Sequence, residues 1–267
     1  MIASTAIVSP RAEIGRNVSI GHYTVVDEGV VLEDGVCLAE HVVVRRGTHL
    51  KAHCKVDSFC VLGGLPQDLH FDASKDTGLI VGENTVLREG VTLHRSTQEG
   101  SPTEIGANGF LMGYSHVAHD CKLGHNVILA NSALLGGHVK LADYVFIGGN
   151  TGIHQHIHVG ESAIVSGSSA MSCHVPPFSM TAERNRLAGL NLVGLKRRGF
   201  SSDVIADIKQ CFFAVYHEGD CSLKANAERA LADSLPKTPQ GAQFLTFFVE
   251  QSGRFVQKKE HLVQKAK

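Results

Sequence analysis

The chain has no Trp among its 267 residues, and aromatic residues make up only 6% of it, which excludes a core built mainly of large rings. It carries no charge excess: 25 basic residues face 26 acidic ones, for a formal −1. It therefore has no global field for nucleic acid or an anionic membrane. No apolar run reaches the length of a spanning helix, although 43% of residues are hydrophobic. The opening residues MIASTAIVSPRAEIG lack the basic start and apolar core of a secretory signal. These absences predict a soluble, cytoplasmic protein with no integral membrane segment. Seven Cys with no C-x-x-C pair argue for free thiols in a reducing compartment rather than a disulfide frame. There is no P-loop, no G-x-S-x-G and no dinucleotide fingerprint. What remains is an aliphatic chain with 28 Gly and 16 His.

Its organisation is a repeat of six. Stepping by six from Ile2 meets Val8, Ile14, Ile20, Val26, Leu32, Leu38, Val44, Leu50, Val56 and Leu62. A second run reads Val81, Leu87 and Leu93, and a third continues from Ile105 to Met171 without exception. Two positions before the aliphatic residue stands a mostly small one, such as Ala6, Ala12, Thr24, Cys54, Cys60, Ser115, Cys121, Ala133 or Thr151. Residues i and i−2 on one face are strand alternation, and a break at every sixth residue is a corner. Three such units close a triangular coil of about 18 residues, and stacked coils roughly 4.8 Å apart satisfy one another's backbones. The runs fill roughly nine coils, a prism on the order of 40 Å long. The expected domains are this β-helix over 1–175, interrupted near 63–80 and 96–102, a linker over 176–190 announced by Pro176-Pro177, and a helical domain over 191–267. Within the last, the apolar and capping patterns predict helices from Asn191 to Gly199, over 203–217 behind Ser202, from Ser222 to about Leu235, and from Pro239 to about Ser252.

Positions 18 apart lie above one another, which locates the histidines. His119, Gly137 and Gln155 form one column; Asp120, His138 and His156 form the next. Ala118, Gly136 and His154 form a third, with His94 one coil below if the second interruption adds six residues. His94, His119, His138 and His154 thus fall in one outward patch, where Gly136 and Gly137 would let a substrate approach the backbone. Imidazole can take a proton from a hydroxyl near neutrality, and a Gly N–H can donate to a developing oxyanion. Those are the parts of an acyl transfer. A metal reading is the rival, because His154, His156 and His158 alternate as strand ligands could; strung over about 13 Å, they are too spread for one ion. Lys196-Arg197-Arg198, at the end of a predicted helix, suits either a solvated helix terminus or a phosphate-bearing partner.

The strings His116-Val117-Ala118-His119-Asp120-Cys121, Gly137-His138-Val139, His154-Gln155, Gln67-Asp68-Leu69, Leu93-His94-Arg95 and Gly194-Leu195-Lys196-Arg197-Arg198-Gly199-Phe200-Ser201 resemble the acyl-[acyl-carrier-protein]–UDP-N-acetylglucosamine O-acyltransferases. The resemblance spans essentially the whole chain. It implies a left-handed parallel β-helix, against the usual right-handed crossover rule, assembled as a homotrimer with active sites between neighbouring prisms. It implies transfer of a (R)-3-hydroxyacyl group from acyl carrier protein to the 3-hydroxyl of UDP-N-acetylglucosamine, the first step of lipid A synthesis. By resemblance His119 is the general base, Asp120 its partner and Gly137 the oxyanion donor. His138 and His154 line the site, as His94 is expected to. His116, Gln155, Asp68, Asn191, Arg197 and Arg198 match positions contacting the nucleotide sugar, and Gly167 the position limiting acyl length. No metal and no dissociable cofactor is implied, since phosphopantetheine arrives on the carrier protein. The chain departs from the family at His70, where a Lys is usual, and at Val193, where an acidic residue is common. These departures leave room for a specialised relative acting on an amino-sugar analogue. A more distant alternative is a β-helical zinc hydratase resembling the γ-type carbonic anhydrases.

Overall fold

A computed structural model of the chain describes residues 1–217 and 222–258. The hexads form very short strands, most of two residues, that stack in parallel into three sheets. The first face has nine strands, from Ile7–Val8 to Ala170–Met171, and the second has eight, from Glu13–Ile14 to His158–Val159. The third has eleven, starting at Ser19–Ile20. Val8 pairs with Val26 and Val26 with Val44, so one coil is 18 residues. The aliphatic residue of each unit points inward, and Val44, Leu50, Leu62, Leu111, Leu129 and Ile147 are fully buried. The small i−2 residues fill the spaces between them; Cys54, Ser115, Ala133 and Thr151 are equally buried. A buried hydroxyl is costly without a partner, and at Thr24 the coil supplies two: Oγ1 donates to Ala39 O (2.7 Å) and accepts from Val42 N–H (3.1 Å). Removing such a core side chain leaves a void that the stacked backbones cannot close. Leu129→Ala is therefore expected to cost about 2–5 kcal/mol in denaturant unfolding.

The corners place non-glycine residues in the left-handed region, coil after coil. Asp120, His138 and His156 have φ of 60°, 61° and 63°. Both interruptions of the repeat leave the prism at one edge, between the first and second faces. Loop 65–78 joins Val61–Gly64 to Leu79–Val81, and loop 95–102 joins Thr92–His94 to Thr103–Ile105. The loops are tied together by Asp76 N–H to Glu99 Oε1 (3.0 Å) and Ser96 N–H to Gly78 O (3.0 Å).

The stretch 176–190, expected as a linker, is part of the prism. Ser179–Ala182 continues the third face parallel to Ile164–Val165, and Arg186–Leu190 returns antiparallel to it. Pro176-Pro177 ends the hexads, but the last coil still presents unpaired backbone groups, and this hairpin satisfies them. Gln257–Lys258 adds one more strand beside Arg186–Leu190.

Four helices follow: α1 Leu192–Arg197, α2 Ser202–Tyr216, α3 Leu223–Ala232 and α4 Pro239–Glu250. Asn191, Ser201, Ser222 and Thr238 cap them, so α2 begins one residue before the expected Asp203, while α4 begins at Pro239 as expected. Phe212, Phe244, Phe248 and Phe255 build their shared core. That core rests on the prism through Phe212 and Tyr216. The end of the expected helical domain, 259–267, lies outside the described residues. No described helix is long and apolar enough to cross a membrane.

Candidate active site

The first–second edge carries His119, Asp120, Gly137, His138, Gln155 and His156 on three successive coils, with His138 N–H donating to His119 O and His156 N–H to Gly137 O (both 3.0 Å). Asp120 and His119 are chain neighbours, a pairing that spacing alone does not dictate. The left-handed turn at Asp120 brings its carboxylate back onto the ring: His119 Nδ1 to Asp120 Oδ2 is 2.7 Å. Asp120 also accepts from Thr97 N–H (3.0 Å, Oδ1) and Thr97 Oγ1 (2.8 Å, Oδ2), while its own N–H donates to Thr103 Oγ1 (2.8 Å). Burial opposes ionisation of Asp120, yet the bonds from His119 and Thr97 hold its carboxyl below the usual carboxylate range. An ionised Asp120 accepts a hydrogen bond from Nδ1–H and leaves Nε2 as an acceptor.

His119 lines a cleft of about 530 Å³ together with Gln67, His116, Gly137, His154 and Gln155. Its other wall includes Ala170, Ser172 and Arg184. Gly136 and Gly137 both line the cleft, and the chain's own packing also requires a glycine at each. A Cβ on Gly137 would lie 2.7 Å from Cε1 and 2.9 Å from Nε2 of His119, and one on Gly136 would lie 2.8 Å from Gln155 N. The molecule's own ring and next coil occupy the space. Gly137 N–H, however, donates to no group among the described residues, because the coil ladder uses the amides on either side of it.

The other histidines divide. His116 lines the cleft and shares a hydrogen bond with Thr92 Oγ1 (2.7 Å); burial and the neighbouring His119 lower its pKa. His94 lies one coil below Ala118, as the register Leu93↔Val117 requires. It does not join an outward patch. Its ring stands edge-on to His116 at 4.7 Å, its Nδ1 is sealed without a hydrogen-bond partner among the described residues, and burial, with His116 and His119, pushes its pKa down to about 4. The Gly64 backbone packs against the ring, where a Cβ on Gly64 would lie 3.1 Å from His94 Cδ2. His138 stacks on His156 (4.5 Å) and brings Nε2 to 3.6 Å from Asp120 Oδ2. Burial lowers its pKa against the pull of Asp120 and, from loop 65–78, Asp68.

Asp68 and His70 sit exposed on that loop, with His70 N–H donating to Asp68 Oδ1 (2.9 Å). Asn191, Arg197 and Arg198 are elsewhere, at the second–third edge. Asn191 is buried and bonds Ser162 O (2.9 Å) while capping α1; Arg198 bonds Glu161 (2.8 Å) and lies over Tyr144. Arg197 and Val193 are exposed on α1. Gly167 lies on the third–first edge beside Gly149. Thr97, Ser172 and Arg184 carried no sequence signal, since all three lie outside the inward hexad positions.

The alternating His154, His156 and His158 do not converge. His154 faces the cleft, His156 stacks on His138, and His158 packs on His174. The donor atoms of His119, Asp120 and His138 do lie within 4.8 Å of one another. The Asp120 oxygen nearest both rings is already committed to His119 and Thr97, the arrangement of a carboxylate orienting a base.

Comparison with known proteins points to one family. Residues 174–256 match the family model described as UDP-N-acetylglucosamine O-acyltransferase, domain 2, and residues 11–46 the bacterial transferase hexapeptide repeat. The chain is 40% identical over 248 residues to the acyl-[acyl-carrier-protein]–UDP-N-acetylglucosamine O-acyltransferase of Thermodesulfovibrio yellowstonii, covering 92% of this chain and 95% of that one. It is 45% identical over 220 residues to that of Saccharophagus degradans, covering 82% and 85%. The solved UDP-N-acetylglucosamine acyltransferase of Campylobacter jejuni superposes with a TM-score of 0.90 at 33% identity, covering 97% of this chain and all of that one. The coil is left-handed, as it is in these neighbours. With identity and fold shared over nearly the full length of both partners, the chain is a member of the acyl-[acyl-carrier-protein]–UDP-N-acetylglucosamine O-acyltransferase family.

Proposed function

We propose that the chain transfers a (R)-3-hydroxyacyl group from the phosphopantetheine thioester of acyl carrier protein to the glucosamine 3-hydroxyl of UDP-N-acetylglucosamine, in the cytoplasm, as a homotrimer. The observation that carries the mechanism is the His119–Asp120 pair opening on a cleft beside the unpaired Gly137 N–H. His119 Nε2 takes the proton of the sugar hydroxyl as its oxygen attacks the thioester carbonyl. The carbonyl oxygen becomes an oxyanion that Gly137 N–H stabilises. Collapse breaks the C–S bond, and the proton on His119 passes to the departing thiolate. An ester and a free phosphopantetheine thiol result.

Asn191, Arg197, Arg198, Asp68, His70, His94, His116, His138, His154 and Gln155 are the proposed sugar-nucleotide contacts and cleft wall, and Gly167 the limit on acyl length. Their placement supports an assembly of copies. His119 is on one edge of the prism and Arg197 on another, so a neighbouring copy has to supply the basic element to complete a site. The test is mass spectrometry of products formed from a mixture of acyl-carrier-protein thioesters, with UDP-N-acetylglucosamine and its 3-amino analogue offered together. Acylated UDP-N-acetylglucosamine is expected. Product from the amino sugar alone would identify a specialised relative, and turnover that tracks bound zinc would favour a metal mechanism.

A further inference from the structure

The carboxylate of Asp120 has two imidazoles within reach of one oxygen. His119 Nδ1 is 2.7 Å from Oδ2 and His138 Nε2 is 3.6 Å from the same atom. Only the first arrangement leaves a basic nitrogen of His119 for the reaction. A carboxylate rotating toward His138 would release His119 to the wrong tautomer. What holds the choice is a third residue outside the hexad pattern. Thr97, on loop 95–102, donates its N–H to Oδ1 and its hydroxyl to Oδ2, so both oxygens are fixed from one side. We infer that Thr97 is a positioning residue that clamps Asp120 onto His119 and away from His138, so that the loop insertion completes the base.

The loop is built to hold it there. Ser96, next to Thr97, is fully buried, donates its N–H to Gly78 O and its hydroxyl to Gln98 O (both 3.0 Å). Glu99 accepts from Asp76 N–H. Thr103, at the far end of the loop, takes the Asp120 N–H and gives its own N–H to Gly78 O. The loop carrying Gln67 into the cleft therefore braces the loop that grips Asp120. Besides Asp120, the titratable groups around the two competing rings are His94 and His116 beside His119, and His156 and Asp68 beside His138.

This inference rests on the acyl-transfer reading, and native turnover in the same assay tests that reading separately. Thr97→Val keeps the shape and backbone N–H but removes the hydroxyl. It is expected to lower kcat by about 10- to 50-fold, with KM for the sugar nucleotide within about threefold. The acid limb of its kcat/KM profile should move to lower pH, because the base has lost its anionic partner. Thr97→Ser, which restores the donor, should return kcat to within about threefold of native. A purely structural threonine would change Tm without moving the limb. Native kcat in Thr97→Val, an unmoved acid limb, or Thr97→Ser no better than Thr97→Val overturns the assignment. If Thr97→Val does not fold, Thr97→Ala takes its place with the same outcomes.

Discussion

His119→Ala is expected to lower kcat/KM by about three orders of magnitude while leaving the fold intact. The size follows from what the ring does and from what it leaves untouched. Removing it takes away the ring whose pairing with an ionised carboxylate leaves an acceptor nitrogen on the cleft wall. Gly137 N–H and the rest of the cleft remain, so residual catalysis above the uncatalysed rate should survive. The side chain lies at a corner outside the prism core, so Tm should shift little. Steady-state kinetics with a thermal melt on the same preparation check both halves. Activity within tenfold of native would sink the assignment of His119 as base.

Gly137→Ala should be nearly as damaging for a different reason. The new methyl would sit 2.7 Å from Cε1 and 2.9 Å from Nε2 of His119, closer than carbon atoms pack. The ring is held to Asp120 at 2.7 Å, so relief requires breaking that bond or shifting the coil. Displacing a catalytic group by about 1 Å costs on the order of 100-fold. The backbone N–H survives the substitution, so the loss reports the displaced ring. Adding His119→Ala to Gly137→Ala should then cost little beyond His119→Ala alone, since the two act through one group. Additive losses would mean that Gly137 acts independently of His119.

The prism was legible because its cause is local and periodic. Each aliphatic residue from Val26 to Val165 reports the same inward geometry, and Cys54 or Thr151 reports the narrow space beside it. The columns that brought His119, Gly137 and Gln155 together follow from one number, the 18-residue coil. Periodicity is silent where the repeat stops. The hairpin over 179–190 obeys the pairing needs of the last coil rather than a hexad, and read as a linker. The packing demand on the two glycines was not legible, because an empty position in a column looks the same whether substrate or a neighbouring ring approaches it. Thr97 was invisible for a related reason. Its partner, Asp120, is 23 residues away across an insertion, a separation that belongs to no period. His94 was placed in the right column, but its surroundings are set by the His116 ring and the Gly64 backbone, not by spacing.

The two ends of the prism are closed differently. At one end the hairpin, Phe178 and the helices seal the stack, and Phe178 is fully buried. At the other, Met1, Ile2 and Ile7 are 96%, 50% and 67% exposed, and Val8 and Ile14 are only half-covered. A one-dimensional stack opens from its weaker end, and each coil can leave only after the one outside it has gone. Amide hydrogen exchange should therefore run as a gradient, fastest in the first coils. The strand carrying His116 is the sixth of nine on its face, so five layers must unzip before the amides around His119 meet deuterium from that side. The chemistry is insulated from the molecule's own fraying.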